Sequence, residues 1–412
     1  MILANRNDAN STQVAARYID LPKGAGLQDI DGTVIVDDAF HIRRLGGDKW
    51  YRDVFNVNQL AAEIESRFQD KCVGYGYSIA HEGQIVKGGG GGCRLLASDG
   101  GPLPFTEDTQ KDTQSTAKTI TAVAALHVME AHGLDVDDFI EPYLPHYWPK
   151  GPGVEFLTFG HLLSHRSGLS DIGDADEYDN LKQTIATGSP DQNWILPEYA
   201  YRNANYALFR LIIAYIDRPA DMQNFEDNGL RGESINERCS ERYLAYVQTH
   251  VLQPAALGTR HAYYTSDNHA FSYNFENQGV VGYPQQTGQM YEMGAGGWVL
   301  SAKDYAKFLA ALENGNILSD EMLGEMKSGL LGLVWIDSPL GVAYGHGGSI
   351  GGGSDGTYGS GRGARAQSLM LPNNVQIYIT INSANNDPSI EDSTERMEAL
   401  RDSFVESLHP TP

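Results

Sequence analysis

The sequence predicts an α/β fold in which one sheet is built from both ends of the chain and a mostly helical subdomain is inserted between them. Three observations carry this. Alternating apolar residues mark strands over 73–92 and again between 341 and 381. A long apolar stretch, Thr119 to Leu126, marks a buried helix that opens at Ser115. The chain from about 115 to 290 is punctuated by Gly, Pro and Asp and has little strand character. With 412 residues and 41% hydrophobic content there is ample material for a large core.

Residues 1–45 are polar and irregular and read as an N-terminal extension or edge segment. The rest, 46–412, reads as the main domain, its α/β part about 46–114 and 291–412 and its helical part about 115–290. In 58–68, Leu60, Ala61, Ile64 and Phe68 fall on one face of an amphipathic helix. A hairpin follows, with Tyr75, Tyr77 and Ile79 alternating on one strand, Ile85-Val86 on the next, and a turn at Glu82-Gly83. If His81 pairs with Gln84, Cys72 falls opposite Cys93. Two free thiols are the favoured outcome, because three cysteines make no disulfide scaffold. The central helix covers 115–131 and ends at His132-Gly133. Later come a helix over 302–313, strands over 341–344, 366–371 and 375–381, and a last helix near 393–408.

Net charge is −23, from 53 acidic and 30 basic residues. Such a surface repels phosphate backbones and anionic membranes, so nucleic acid is not an expected partner. No apolar run reaches the length of a membrane span; the closest, 206–216, is short and carries Arg210. The first residues show no basic region followed by an apolar core. The expected location is therefore cytoplasmic, or secreted or periplasmic for a processed form. The oligomeric state is left open.

Chemistry concentrates at Ser115-Thr116-Ala117-Lys118. A serine at the first turn of a buried helix sits where backbone N–H groups and the helix dipole favour negative charge. A lysine three residues on lies on the same face, within reach of the hydroxyl. Two further segments follow in order: Tyr201-Arg202-Asn203, and Tyr344-Gly345-His346-Gly347-Gly348-Ser349. Two longer stretches accompany them, 159–169 (FGHLLSHRSGL) and 295–305 (AGGWVLSAKDY).

This ordered set resembles the serine β-lactamase and penicillin-binding-protein superfamily, in the branch of class C β-lactamases, D-stereospecific peptidases and β-lactamase-like esterases. The resemblance covers roughly residues 50–405. It implies an antiparallel sheet flanked by helices, of the β-lactamase/transpeptidase type. It also implies that Ser115 is acylated, that Lys118 and Tyr201 form the base system, and that Asn203 bonds the lysine and substrate. The backbone N–H groups of Ser115 and Ser349 would form the oxyanion hole. His346, Gly347 and Gly348 would flank the cleft. His346 stands where β-lactamases of this branch usually carry lysine, so less fixed charge awaits a substrate carboxylate. Arg362 and Arg365 are the candidates to restore it.

The implied activity is hydrolysis of carboxylic esters or small amides through an acyl-enzyme. D-stereospecific aminopeptidase, amidase or D,D-peptidase activity comes second, then β-lactamase or acyl transfer. The expected partner is a small ester, amide or peptide, with no cofactor and no metal. Rival signals are weaker. Gly347-Gly348-Ser349-Ile350-Gly351 and Gly352-Gly353-Ser354-Asp355-Gly356 match G-x-S-x-G, but glycine rather than a helix follows. His161 and His165 have helical zinc spacing without the metalloprotease glutamate. A scaffold that had lost activity would not keep every functional position filled.

Overall fold

Val375, Ile377, Ile379 and Ile381 alternate with Gln376, Tyr378 and Thr380, and all seven are buried. A strand buried on both faces must be central in its sheet. The computed structural model describes residues 39–46, 49–189, 198–284, 290–338, 340–351, 361–384 and 387–408. In chain order its first elements are β1 (Ala39–Gly46), β2 (Lys49–Asn56), α1 (Val57–Phe68), β3 (Gly74–His81), β4 (Gln84–Leu95), β5 (Leu103–Pro104), β6 (Lys111–Asp112) and α2 (Ala117–His132). The middle is helical: α3 (Phe159–Leu163), α4 (Tyr178–Thr187), α5 (Asn203–Ala207), α6 (Phe209–Asp217), α7 (Pro219–Asp227) and α8 (Glu233–Val247). Then come β7 (Tyr273–Asn274), β8 (Val299–Leu300), α9 (Ala302–Glu313), α10 (Asp320–Ser328), β9 (Val334–Ser338), β10 (Gly341–Gly351), β11 (Gly363–Leu371), β12 (Val375–Ile381), β13 (Ser383–Ala384) and α11 (Ser393–Ser407).

The main sheet runs β9-β10-β11-β12-β3-β4-β5, every neighbour antiparallel, with β7 and β13 attached beside β11. Strands from both ends of the chain thus meet where β12 pairs β3. This is the mixed α/β fold with a mostly antiparallel sheet that the sequence predicts. One face of the sheet packs on α1 and α11: Tyr75, Tyr77, Ile377 and Ile379 share a core with Leu60, Ile64, Leu400 and Phe404. The other face shares a second core, with Ala366, Met370 and Tyr378 against α2, α6, α8 and α9. Helix α2 is buried all round, as its continuous apolar sequence requires.

Three local expectations change. Ser115 lies in a single 3₁₀ turn, Gln114–Thr116, just before α2 rather than inside it. Gln114 there has φ 52, with its N–H on Asp112 Oδ1 at 2.6 Å. Cys72 does not face Cys93, while both thiols are free, the outcome the sequence favours. His81 does pair with Gln84, but a bulge between Ile79 and Ala80 takes up one residue, so Cys93 N–H bonds Val73 O instead. Strand β10 runs to Gly351, seven residues past the expected 344. The second G-x-S-x-G match, 352–356, lies outside the described residues.

Candidate active site

Ser115 is positioned by the turn that carries it. Thr116 Oγ1 closes the turn on Thr113 O at 2.6 Å, and Tyr305 Oη, from α9, donates to Thr116 O at 2.7 Å. Tyr201 Oη donates to Ser115 Oγ at 2.8 Å. Lys118 Nζ, fully buried, lies 3.3 Å from the same oxygen, 2.9 Å from Asn203 Oδ1 and 2.7 Å from Ala295 O. Those three acceptors take up the three N–H bonds of an ammonium. One oxygen therefore lies within hydrogen-bond reach of both a phenol and an amine, either of which becomes a base for the hydroxyl once it has lost its own proton.

The loop ahead of α5 holds Tyr201 and Asn203 in place. Asp171 caps that helix: its carboxylate accepts from the N–H of Asn203 at 3.2 Å and of Ala204 at 2.9 Å. His165 Nδ1 accepts from Arg202 N–H and lies 3.2 Å from Asn205 Nδ2, while the ring centroids of His165 and Tyr201 are 4.4 Å apart. Ser167 Oγ donates to Asn205 Oδ1 at 2.6 Å. Residues 165–171 are thereby the bed on which Tyr201 and Asn203 rest. His161 has a different task, closing the capping box of α3 with Thr158. Among the described residues no group of three or more His, Cys, Asp and Glu side chains is placed to hold a metal ion.

Strand β10 forms the opposite wall. His346 is buried, and its Nδ1 lies 2.7 Å from Gly347 O. Burial first, and then neighbouring Lys118, pull its pKa down to about 4, so this imidazole is neutral at pH 7. His165 is pulled down to about 3 by burial, Lys118, His346 and Arg202. The glycines let β10 approach. A Cβ at Gly347 would sit 1.8 Å from Ser393 Oγ, and one at Gly348 would sit 3.0 Å from Gln114 Cβ, beside the turn that carries Ser115. Behind the site, burial and neighbouring carboxylates raise Glu292 and Asp176 to about 7.

A cavity of about 510 Å³ opens at Ser115, lined by Tyr199, Tyr201, Val334, Trp335, Ile336, His346, Gly347, Ser349, Met397 and Glu398 among others. It brings together Ser115, Tyr201, His346, Gly347 and Ser349, with Lys118 and Asn203 bonded behind them. It does not include Arg362 or Arg365. Arg365 is buried and spent on Glu391 and on the carbonyls of Ile350 and Ala364. Arg362 turns to Val281 O and lies over the Tyr283 ring. Neither supplies positive charge to this cavity, contrary to the expectation. Sequence reasoning missed Asp171, the Ala295 carbonyl and the role of His165 toward Tyr201. Only the last two lay in stretches already singled out.

Residues 59–401 match the family model Beta-lactamase. The chain belongs to the beta-lactamase family. A curated relative is PbpX of Bacillus subtilis (strain 168), a penicillin-binding protein by name, 28% identical over 258 residues. That match spans 60% of this chain and 57% of PbpX, so the chain spans little more than half the length of this relative. Two solved structures share the beta-lactamase fold. The D-amino acid amidase of Ochrobactrum anthropi SV3 has a TM-score of 0.61 and 19% identity, over 85% of this chain and 97% of that one. The class C beta-lactamase of Rhodobacter sphaeroides has a TM-score of 0.59 and 17% identity, over 85% and 100%. Among the described residues no helix is long and apolar enough to cross a membrane.

Proposed function

We propose that the chain is a serine hydrolase that acts on carboxylic esters or small amides through an acyl-enzyme on Ser115. The observation that carries this reading is the convergence of Tyr201 Oη and Lys118 Nζ on Ser115 Oγ, at 2.8 and 3.3 Å. Ser115 Oγ attacks the substrate carbonyl carbon while its proton passes to the Tyr201–Lys118 pair in the form that has one proton fewer, with Tyr201 as phenolate beside the Lys118 ammonium or with Lys118 neutral and taking the proton through the phenol. The oxyanion is held by the backbone N–H groups of Ser115 and Ser349. The pair returns the proton to the leaving alcohol or amine, and water then hydrolyses the acyl-enzyme with the same groups. Pre-aimed donors of this kind are commonly the largest single contribution to such rates. Asn203 fixes the lysine, and His346, Gly347 and Gly348 shape the wall beside the scissile group.

The cavity's charge favours neutral substrates. Among the described residues no lysine or arginine lines it, His346 is neutral, and Glu398 is the one charged side chain. A carboxylate of the kind a β-lactam carries therefore meets no lysine or arginine among the described lining residues. A second reading, amidase action on D-aminoacyl substrates, is favoured by Glu398, which suits a free ammonium. A fluorophosphonate should label Ser115, and Ser115→Ala should abolish both labelling and turnover. A nitrophenyl ester, a D-aminoacyl anilide and a chromogenic cephalosporin, compared on the pure protein, then rank the classes. A tenfold advantage for the anilide or the cephalosporin in kcat/KM would replace the ester assignment.

A further inference from the structure

Arg396 lies on α11, in no motif of the site, yet it is one of the largest fully buried side chains among the described residues. Its guanidinium is spent mostly on backbone. Nη1 donates to Ile390 O at 3.0 Å and Glu391 O at 2.5 Å. Nη2 donates to Gly348 O at 3.1 Å and Ser349 Oγ at 3.2 Å. Gly348 O belongs to the peptide unit whose other end is the Ser349 N–H. In a trans peptide the C=O and N–H point in opposite directions. With the carbonyl turned to buried Arg396, the N–H is turned to the other side of β10, and Ser349 lines the cavity at Ser115.

A hydrogen bond to the carbonyl of an amide draws electron density from its nitrogen and makes its N–H a stronger donor. A cation does this more than a neutral donor does, and burial strengthens the effect. The cation persists at neutral pH, although burial and neighbouring Arg365 lower its pKa to about 10. Arg365, by contrast, is matched by Glu391.

We propose that Arg396 is a positioning residue for the oxyanion hole: it holds and polarises the Gly348–Ser349 peptide so that the Ser349 N–H stabilises the oxyanion. The proposal rests on the serine-hydrolase reading above. Arg396 touches no reacting atom, so its loss weakens one donor rather than removing it. Removing a donor outright costs about 10²–10³ in kcat, and weakening one should cost less, about tenfold.

The test uses the whole chain, with Arg396→Met and Arg396→Lys. Methionine keeps the apolar stem without the charge. Lysine keeps the charge but not a fork able to hold four acceptors. For a nitrophenyl ester, kcat should fall about tenfold in Arg396→Met, with KM little changed. A structural role would not move the second readout, the infrared carbonyl band of the ¹³C-labelled acyl-enzyme. That band should shift to higher frequency in Arg396→Met and by less in Arg396→Lys, because a weaker hole polarises the carbonyl less. If methionine prevents folding, the lysine variant alone decides. An unmoved band in a folded variant that still acylates at Ser115 overturns the inference and leaves the hydrolase reading standing. Failure of the wild-type protein to be labelled at Ser115 removes that reading and this inference together.

Discussion

The two walls of the cleft are built differently. The helical wall presents side chains: Ser115, Lys118, Tyr201 and Asn203 converge within hydrogen-bond reach. The β10 wall presents backbone, with glycines that admit close approach and arginines buried behind. A side-chain site depends on a few residue types at fixed spacing. A backbone site depends on whatever holds the strand, which lies on distant elements. Substitutions in the first wall should therefore act at the named residue. Those in the second should act through neighbours that carry no chemistry themselves.

The largest expected effect is on the helical wall. Tyr201→Phe keeps the ring between His165 and the cavity and removes only the hydroxyl on Ser115. Turnover of an activated ester should fall about a hundredfold or more, because the proton relay is cut while packing is kept. Near-normal kinetics would make Tyr201 a packing residue and leave Lys118 as sole base. The next effect tests whether that wall also has hidden supports. Asp171→Ala removes the cap on α5 and should cost about 1 kcal/mol of stability. As Tyr201 and Asn203 drift, kcat should fall about tenfold. Asp171→Asn, which retains an acceptor, should recover part of both losses. Stability and kcat both at wild-type values would break the claim that the loop positions these residues.

This contrast also explains what could be read in advance. Ser115, Lys118, Tyr201 and Asn203 sit in short local patterns whose spacing survives without a structure. So does the alternation of Val375–Ile381, read to the residue. Asp171 could not be found, because it caps a helix that begins 32 residues later. The glycines of β10 read as a loop when taken alone; their reason is Gln114 and Ser393, both far away in sequence. Arg362 and Arg365 were placed by charge, but an arginine's direction is set by packing, and Arg365 was claimed by Glu391. The Cys72–Cys93 register failed by one residue because a bulge leaves no mark in a glycine-rich strand.

The two imidazoles at the site give a pH test. His165 has an ordinary value of 6.5 and a folded value of about 3. The unfolded chain therefore binds more protons between those limits. The stability this ring contributes is complete above pH 6.5 and is lost as pH falls through 3. Glu292 and Asp176, raised to about 7, act in the opposite sense, with stability lost as pH rises toward 7. Comparing His165→Gln with wild type cancels that opposing contribution. Between pH 6.5 and 5, wild type should lose about 2 kcal/mol more than the variant in denaturant titrations. Parallel pH dependences would mean that His165 is not held neutral by the fold.

The smallest expected effect lies at the cavity's rim, where solvent screens charge. Glu398 is exposed and, among the described residues, is the charged side chain lining the cavity. An exposed charge acts weakly and over a limited range, so its influence is a matter of a few tenths to 1 kcal/mol. Glu398→Gln should raise kcat/KM for a carboxylate-bearing ester about threefold and leave a neutral ester of the same shape unchanged. The gain should shrink as salt rises from 0.05 to about 1 M, since the Debye length falls to about 3 Å. Equal gains for both esters would mean that Glu398 acts through shape. A gain that survives high salt would place the carboxylate in direct contact with substrate, and the rim would then join the helical wall as a region that works through its own side chains.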